Sequence, residues 1–329
     1  MPAVSVIVPV YNVESYIARC VRSLFGQTLQ DIEFVFVDDC SPDNSMAILK
    51  RILSEEFPSR IPQVKFYRMP QNSGLAAVRY FGYRMATGDY VIACDSDDEV
   101  VLNAYQAMYE KAIAESLDIV VCDYYVVKDD CKSVRSHHVD SGKEVQSIFW
   151  GRSIGTLWCR MFRHGVLDGI TPAIGNMTED IVVSVQAICN SQRIGYIHEP
   201  LYYYCLRNDS ISLASGQRAD LSRREESNAN ARLVVGLLVN RYGFDENDPA
   251  IVYFKYRNRG ALNAYVQYPE YYREWRNTFP EIDHRFLFTS GIPLIDKFWF
   301  VLIHLHLYHP WKMAMSALRN HAHGRKTYE

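Results

Sequence analysis

Residues 4–25, VSVIVPVYNVESYIARCVRSLF, change hydrophobic period once, and that change decides the fold. Val4–Val10 is a β-branched run with no polar alternation, the pattern of a strand buried on both faces. From Glu14 the apolar residues fall at Ile17, Val21, Leu24 and Phe25, one face of a helix. The same strand-then-helix unit recurs down the chain. Phe34–Asp38 reads as a second strand. Ser41-Pro42-Asp43 is turn chemistry, and a helix through Ile48, Ile52 and Leu53 follows it. Val64–Met69 is a third strand. Asn72-Ser73-Gly74 opens a helix through Ala77, Phe81 and Met85, which Gly88 is expected to end. Tyr90–Cys94 and Ile119–Cys122 are the fourth and fifth strands, around a helix at about 101–116. Strands roughly 25–35 residues apart with a helix between them build a mostly parallel, Rossmann-like sheet flanked by helices. Ligands of such sheets bind beyond the carboxyl ends of the strands. Polar residues stand at those ends: Tyr11-Asn12, Asp38-Asp39, Asn72 and Asp95-Ser96-Asp97-Asp98.

The remaining chain is less regular. Residues 126–200 hold a polar stretch (Lys128–Lys143), an aromatic segment (Phe149–Phe162) and Thr178-Glu179-Asp180 opening an apolar helix. Leu201–Tyr204 reads as a late strand, and from about Asp220 the periodicity is helical.

The 329 residues carry 35 Lys and Arg against 38 Asp and Glu, and 48% are apolar. That composition excludes a disordered chain and argues against a nucleic-acid polymer as partner. Residues 1–200 hold 18 basic against 25 acidic residues, and 201–329 hold 17 against 13. The eight cysteines include no C-x-x-C pair, so a zinc site is not expected, and several sit in apolar runs as buried free thiols. The N-terminus reads as a first strand, not a signal peptide, and no apolar run is long enough to span a bilayer. The nearest candidate, Phe298–Tyr308, is too short.

Three carboxylates within Asp95-Ser96-Asp97-Asp98 repel one another, and exposure or a cation must relieve them. Hard divalent cations commonly take one or two carboxylates plus substrate phosphates. A helix-capping turn is the competing reading. Asp38-Asp39 offers a carboxylate to a base or ribose, or a cap to the next helix. No G-x-G-x-x-G follows the first strand, and no P-loop or G-x-S-x-G occurs.

Taken together, these stretches resemble family 2 glycosyltransferases of the bacterial capsule, lipopolysaccharide and exopolysaccharide type, which have the GT-A fold. Ser5–Asn12 is similar to that family's opening strand, and Tyr16-Ile17, Cys20, Ser23-Leu24 and Gln27-Thr28 to its first helix. Phe36–Asp43 resembles V-D-D-G-S-x-D, with Cys40 in place of Gly. Asn72–Leu75 with Ala77, Arg79 and Gly82 resembles N-x-G-x-x-x-A-R-N-x-G, with Tyr80 in place of Asn. Thr87–Tyr90 resembles the G-E-Y segment, Asp95-Ser96-Asp97 the D-x-D signature and Glu179-Asp180 the E-D motif. Leu201–Tyr204, Arg207 and Ser210-Ile211-Ser212 resemble a closing motif. The resemblance covers about 1–215 and so implies a catalytic domain over 1–215, with a nucleotide-sugar-binding half (1–125) and an acceptor half (126–215), followed by a mainly helical extension over 216–329.

It implies an inverting transfer from a nucleotide-diphosphate sugar, most often a UDP-sugar, to a glycan or lipid-linked glycan. Pro9, Tyr11 and Asp39 would hold the uridine, Asp95 would lie near the ribose or sugar, and Arg79 near the diphosphate. Asp97 would be the ligand of Mg²⁺ or Mn²⁺, and Asp180 the general base. The implied location is cytoplasmic. The aromatic, basic stretch from Phe298 to Lys326 is a candidate for the inner face of the membrane, with a helix packed on the catalytic domain or in a homodimer interface as the competing reading. A non-catalytic nucleotide-sugar binder and a sugar nucleotidyltransferase are the alternatives.

Overall fold

The computed structural model describes residues 1–129, 131–207, 217–260 and 262–313. The chain divides into two units, Met1–Tyr242 and Gly243–Glu329. The boundary expected near 215 lies outside the described residues.

The first unit opens with β1 (Val4–Val10), α1 (Ile17–Phe25), β2 (Ile32–Asp38), α2 (Ser45–Glu56), β3 (Val64–Arg68), α3 (Leu75–Met85) and β4 (Tyr90–Ala93). Every residue of β1 and β2 is buried, as their unbroken apolar runs require. β3, β2, β1 and β4 lie side by side and parallel. Their carboxyl ends therefore open on one edge.

Beyond β4 the sheet becomes mixed. β5 (Glu99–Val100) and α4 (Ala104–Ala114) lead to β6 (Ile119–Lys128), whose direction matches β4 but which does not touch it. The gap is filled by β8 (Arg160–Arg163), antiparallel to both neighbours. β7 (Cys131–Arg135) hairpins onto β6, α5 (Glu144–Phe149) follows, and α6 (Glu179–Asn190) leads to β9 (Ile194–Cys205), parallel to β6. β9 also pairs with β5. The polar stretch 128–143 thus contains a strand, and the aromatic segment 149–162 runs into another. Four and five residues are too few to show a period, and β7 is exposed throughout, so it carries no apolar signal. α7 (Gln217–Asn240) closes the unit.

Gly88 departs from its expected role. α3 ends at Met85, and Gly88 instead sits against β1, where its N–H donates to Ser5 Oγ at 2.8 Å. A Cβ there would stand 2.8 Å from the Ser5 backbone nitrogen. Ser5 donates in turn to buried Glu33, which also holds Lys65 at 2.6 Å.

The second unit is helical, with α8 (Pro249–Gly260), α9 (Pro269–Asn277) and α10 (Leu294–His304). Its core includes a cation. Arg259 is fully buried and stacks over Trp275 at 4.4 Å, while its guanidinium meets Asp283 at 2.5 Å and donates to Thr278 O and Phe279 O. Tyr256, Phe286 and Phe300 pack beside one another.

Candidate active site

The loops that follow β1 and β2 are stapled together by short polar side chains. Ser41 Oγ accepts the Asn12 N–H at 2.9 Å, Ser45 Oγ that of Val13 at 3.0 Å, and Asp43 that of Glu14 at 2.8 Å. Burial opposes the Asp43 charge, but donors from Ser41, Ser45 and Glu14 outweigh it and hold the carboxyl below its ordinary range. Cys40 has φ +58°, the left-handed region that explains why a glycine suits this position, and its thiol donates to Met69 O at 3.1 Å.

Asp39, the first residue past β2, is buried. Its two oxygens accept the N–H groups of Ser73 (2.7 Å) and Gly74 (2.9 Å). It therefore anchors the loop that opens α3. Gly74 has φ +84°, and a Cβ there would stand 2.6 Å from Asn176 Oδ1.

The acidic cluster after β4 resolves into two faces. Asp98 turns inward to β9, where it accepts from Tyr202 Oη (2.8 Å) and the Cys205 N–H (2.7 Å). Burial and the charges of Asp97 and Asp95 push its carboxyl well up. Asp95 and Asp97 face outward. They line a cleft of about 260 Å³ together with Pro9, Tyr11, Asp39, Asn72, Gly74, Asn176, Tyr204 and Arg207. Arg207 meets Asp97 at 2.8 Å, and Arg19 donates to Asp97 O at 2.6 Å.

Beneath this cleft lies Arg79, 4% exposed, whose guanidinium is bound by Asp95 on one side and Glu179 on the other. Burial opposes its charge, yet the two carboxylates together push its pKa above the ordinary value. Burial likewise pushes Glu179 up to about 7, against the pull of Arg79. Asp180 follows at the start of α6, partly exposed, with Oδ1 accepting the Ile181 N–H at 2.9 Å. Burial raises its carboxyl above the ordinary range, with Arg79 pulling it down. Thr178, which precedes the pair, has φ +60° and makes no side-chain cap.

The chain thus gathers Pro9, Tyr11, Asp39, Asp95 and Asp97 around one cleft. It puts Arg79 under the cleft and joins Asp180 to it through the Glu179–Arg79–Asp95 chain of charges. Trp158 is buried and stacks on Tyr202 (4.4 Å) and Tyr204 (5.6 Å), so Tyr204 alone of the three lines the cleft. Tyr80 faces a second cavity of about 700 Å³, which shares Asn176 with the first. His137 is buried against Ser153, and His164 bonds Gly88 O. Asn176 carries no sequence signal. It lies 100 residues from Ala76, whose N–H it accepts at 3.2 Å. Ser210-Ile211-Ser212 lies outside the described residues.

The donors present suit a hard divalent cation. Asp95 and Asp97 face the cleft, and burial, then the Asp95 charge, push the Asp97 carboxyl up while Arg207 pulls it down. Among the described residues no group of three His, Cys, Asp or Glu side chains forms a cage. The remaining ligands would be oxygens of a bound diphosphate, a common arrangement for Mg²⁺.

Comparison with known proteins gives a consistent picture. The profile of the family described as Glycosyl transferase family 2 matches residues 5–171. EpsH of Bacillus subtilis (strain 168) is 31% identical over 222 residues, 64% of this chain and 62% of that protein. The minor teichoic acid biosynthesis protein GgaB of the same organism is 36% identical over 229 residues, 66% of this chain and 24% of GgaB. The chain therefore spans less than two thirds of either relative. Among solved structures, residues 1–349 of S. aureus TarS in complex with UDP-GlcNAc superpose with a TM-score of 0.69 at 20% identity, covering 97% of this chain and 92% of that one.

Proposed function

The chain belongs to glycosyl transferase family 2 and has the GT-A fold, and on that premise we propose that it is an inverting transferase moving a sugar from a UDP-sugar to a hydroxyl of a glycan or lipid-linked glycan in surface-polysaccharide assembly. The observation that carries this reading is the cleft at the carboxyl ends of β1, β2 and β4, lined by Asp95 and Asp97, with Asp95 tied through Arg79 to Glu179, the residue before Asp180. The UDP-GlcNAc complex of TarS and the teichoic acid role of GgaB support the donor and the pathway class.

In this reading the exposed Tyr11 ring stacks on the base, and Pro9 and Asp39 form the rest of its seat. Asp95 lies against the ribose or sugar. Asp97 holds Mg²⁺ or Mn²⁺, which when bound supplies Lewis-acid neutralisation of the departing diphosphate. Asp180 takes the proton of the acceptor hydroxyl as that oxygen attacks the anomeric carbon from the face opposite UDP. One displacement inverts the configuration. Arg79 holds Asp95 and Glu179 in place through its two ion pairs.

Calorimetric titration of UDP, with and without Mn²⁺, into wild-type protein and Asp97→Ala tests the reading. The expected result is binding that strengthens at least about tenfold with the metal, a gain of about 1.4 kcal/mol that the variant lacks. Equal metal dependence in the variant would remove Asp97 from the site. Screening UDP-glucose, UDP-galactose and UDP-GlcNAc for hydrolysis then identifies the sugar.

The acceptor's lipid link gives α10 a role on an anionic leaflet. Leu294, Phe298, Val301 and Leu305 form an exposed stripe at i, i+4, i+7 and i+11, beside exposed Phe288 and Trp311. From His284 to Met313 the acidic residue is Asp296, which accepts from Tyr253 Oη at 2.8 Å, while Arg285, Lys297 and Lys312 are basic. Exposed apolar area in a stretch with three basic residues and one acidic one suits an anionic lipid surface. No helix among the described residues is long and apolar enough to cross a membrane. Arg319, Arg325 and Lys326 lie outside the described residues. Co-sedimentation with phosphatidylcholine vesicles containing phosphatidylglycerol is expected for wild type and lost in the Phe298→Glu/Leu305→Glu variant. A wild-type protein that stays in the supernatant, or one whose variant only turns from dimer to monomer, assigns this face to a second copy instead.

A further inference from the structure

The segment from Ile174 to Thr178 has no regular structure, yet its backbone is held by two side chains of α7. Glu226 Oε2 accepts the N–H groups of Asn176 (2.9 Å) and Met177 (3.2 Å). Asn230, fully buried, accepts the Ile174 N–H at 2.8 Å and donates to Gly175 O (2.9 Å) and Met177 O (2.8 Å). Residues four apart share a helix face, so the two act as one clamp. The helix comes so close that a Cβ on Gly175 would stand 2.8 Å from Glu226 Cγ.

What the segment delivers gives the clamp its meaning. At one end Asn176 enters the cleft and accepts the Ala76 N–H in the first turn of α3, the helix that carries Arg79. At the other, left-handed Thr178 turns the chain into Glu179, which binds Arg79, and then Asp180. Both ends meet the same charge cluster. The clamp lies beyond residue 171, where the family match stops.

We propose that Glu226 and Asn230 are positioning residues for the transfer reaction, setting through segment 174–178 where Asn176 meets the donor and where Asp180 stands against the acceptor. The inference rests on the glycosyl-transfer reading. Asn230→Asp is isosteric and keeps the acceptor for Ile174, but it replaces two donated hydrogen bonds with a carboxylate against two carbonyls. A small misplacement of a reacting group from a distant change can lower turnover by about 100-fold. The nucleotide seat on β1 and β2 has its own supports in Ser41, Ser45 and Asp39.

The expected result for Asn230→Asp is therefore a fall in kcat of about 10- to 100-fold with the UDP dissociation constant kept within about threefold. Glu226 is partly exposed, so Glu226→Ala folds if Asn230→Asp does not, and it should show the same split. Glu226→Gln retains an acceptor oxygen and should restore turnover to near wild type. Wild-type kcat in Glu226→Ala and Asn230→Asp, or a parallel loss of kcat, UDP affinity and melting temperature, would overturn the proposal. If the wild-type protein turns over no UDP-sugar, the transfer reading fails on its own. Amide exchange then decides the clamp: faster exchange at Ile174, Asn176 and Met177 in the variants supports it, and unchanged exchange overturns it.

Discussion

Asp180→Asn is expected to lower sugar transfer by about 10²–10⁴-fold, the range that a positioned general base contributes. The substitution keeps the shape of the side chain and an acceptor for the Ile181 N–H, so α6 keeps its start. What it removes is the ability to take a proton. UDP binding is expected to persist, because Asp180 does not line the cleft that holds Tyr11, Asp39 and Asp97. The pH profile supplies a second reading. Burial raises the Asp180 carboxyl above the ordinary range, so wild-type kcat/KM should fall as pH drops through that raised value, where the base becomes protonated. In Asp180→Asn the residual rate should lack that acid limb. Steady-state rates across pH on an accepted UDP-sugar measure both. A variant with wild-type kcat would take Asp180 out of the chemistry.

Arg79→Met is expected to have the largest effect on stability. It leaves Glu179 and Asp95 facing each other with no cation, one of them 4% and the other 24% exposed at the side chain. Removing one partner of a buried ion pair destabilises by about 3–5 kcal/mol. For a unit of this size that corresponds to a fall in melting temperature of roughly 6–20 °C. The sign of the pH dependence follows from the same charges. Without Arg79 the folded-state pKa of Glu179 lies above its unfolded value, so the penalty is present at high pH and shrinks as pH falls and the carboxyl takes a proton. Arg79→Met combined with Glu179→Leu replaces the pair by apolar groups and should recover much of the stability. It should not recover transfer, since Asp95 and the start of α6 have lost their common anchor. Thermal denaturation of the single and double variants at two pH values checks each step. A single variant as stable as wild type at neutral pH would show that the cluster tolerates the loss of its cation.

The two departures from the family pattern read differently in three dimensions. Cys40 occupies a left-handed turn, so it tolerates strain that a glycine would not carry, and it bonds the loop after β3. Tyr80 lines the neighbouring cavity and not the cleft that holds Asp95 and Asp97, so a tyrosine where the family pattern has Asn leaves that cleft's lining intact.

The alternation of strand and helix over residues 4–125 was legible because hydrophobic period is local: each buried strand and each one-sided helix writes its own pattern over seven to twelve residues. For the same reason the polar residues at strand ends, among them Tyr11, Asp39, Asp95 and Asp97, could be picked out before any contact was known. Tertiary structure decided the rest. Whether β8 enters antiparallel between β4 and β6 depends on a gap left by the α4 crossover, not on its own four residues. Which carboxylates of Asp95-Ser96-Asp97-Asp98 face the cleft depends on Tyr202 and Cys205, more than a hundred residues on, drawing Asp98 inward. Arg79 finds Glu179, and Ala76 finds Asn176, across 100 residues each. Glu226 and Asn230 look like ordinary polar positions of a helix until the segment they hold is seen beneath them. Periodicity records which face of an element meets the core. It carries no record of the partner, because pairing between distant segments is settled by packing and by satisfying buried polar groups once the chain has closed.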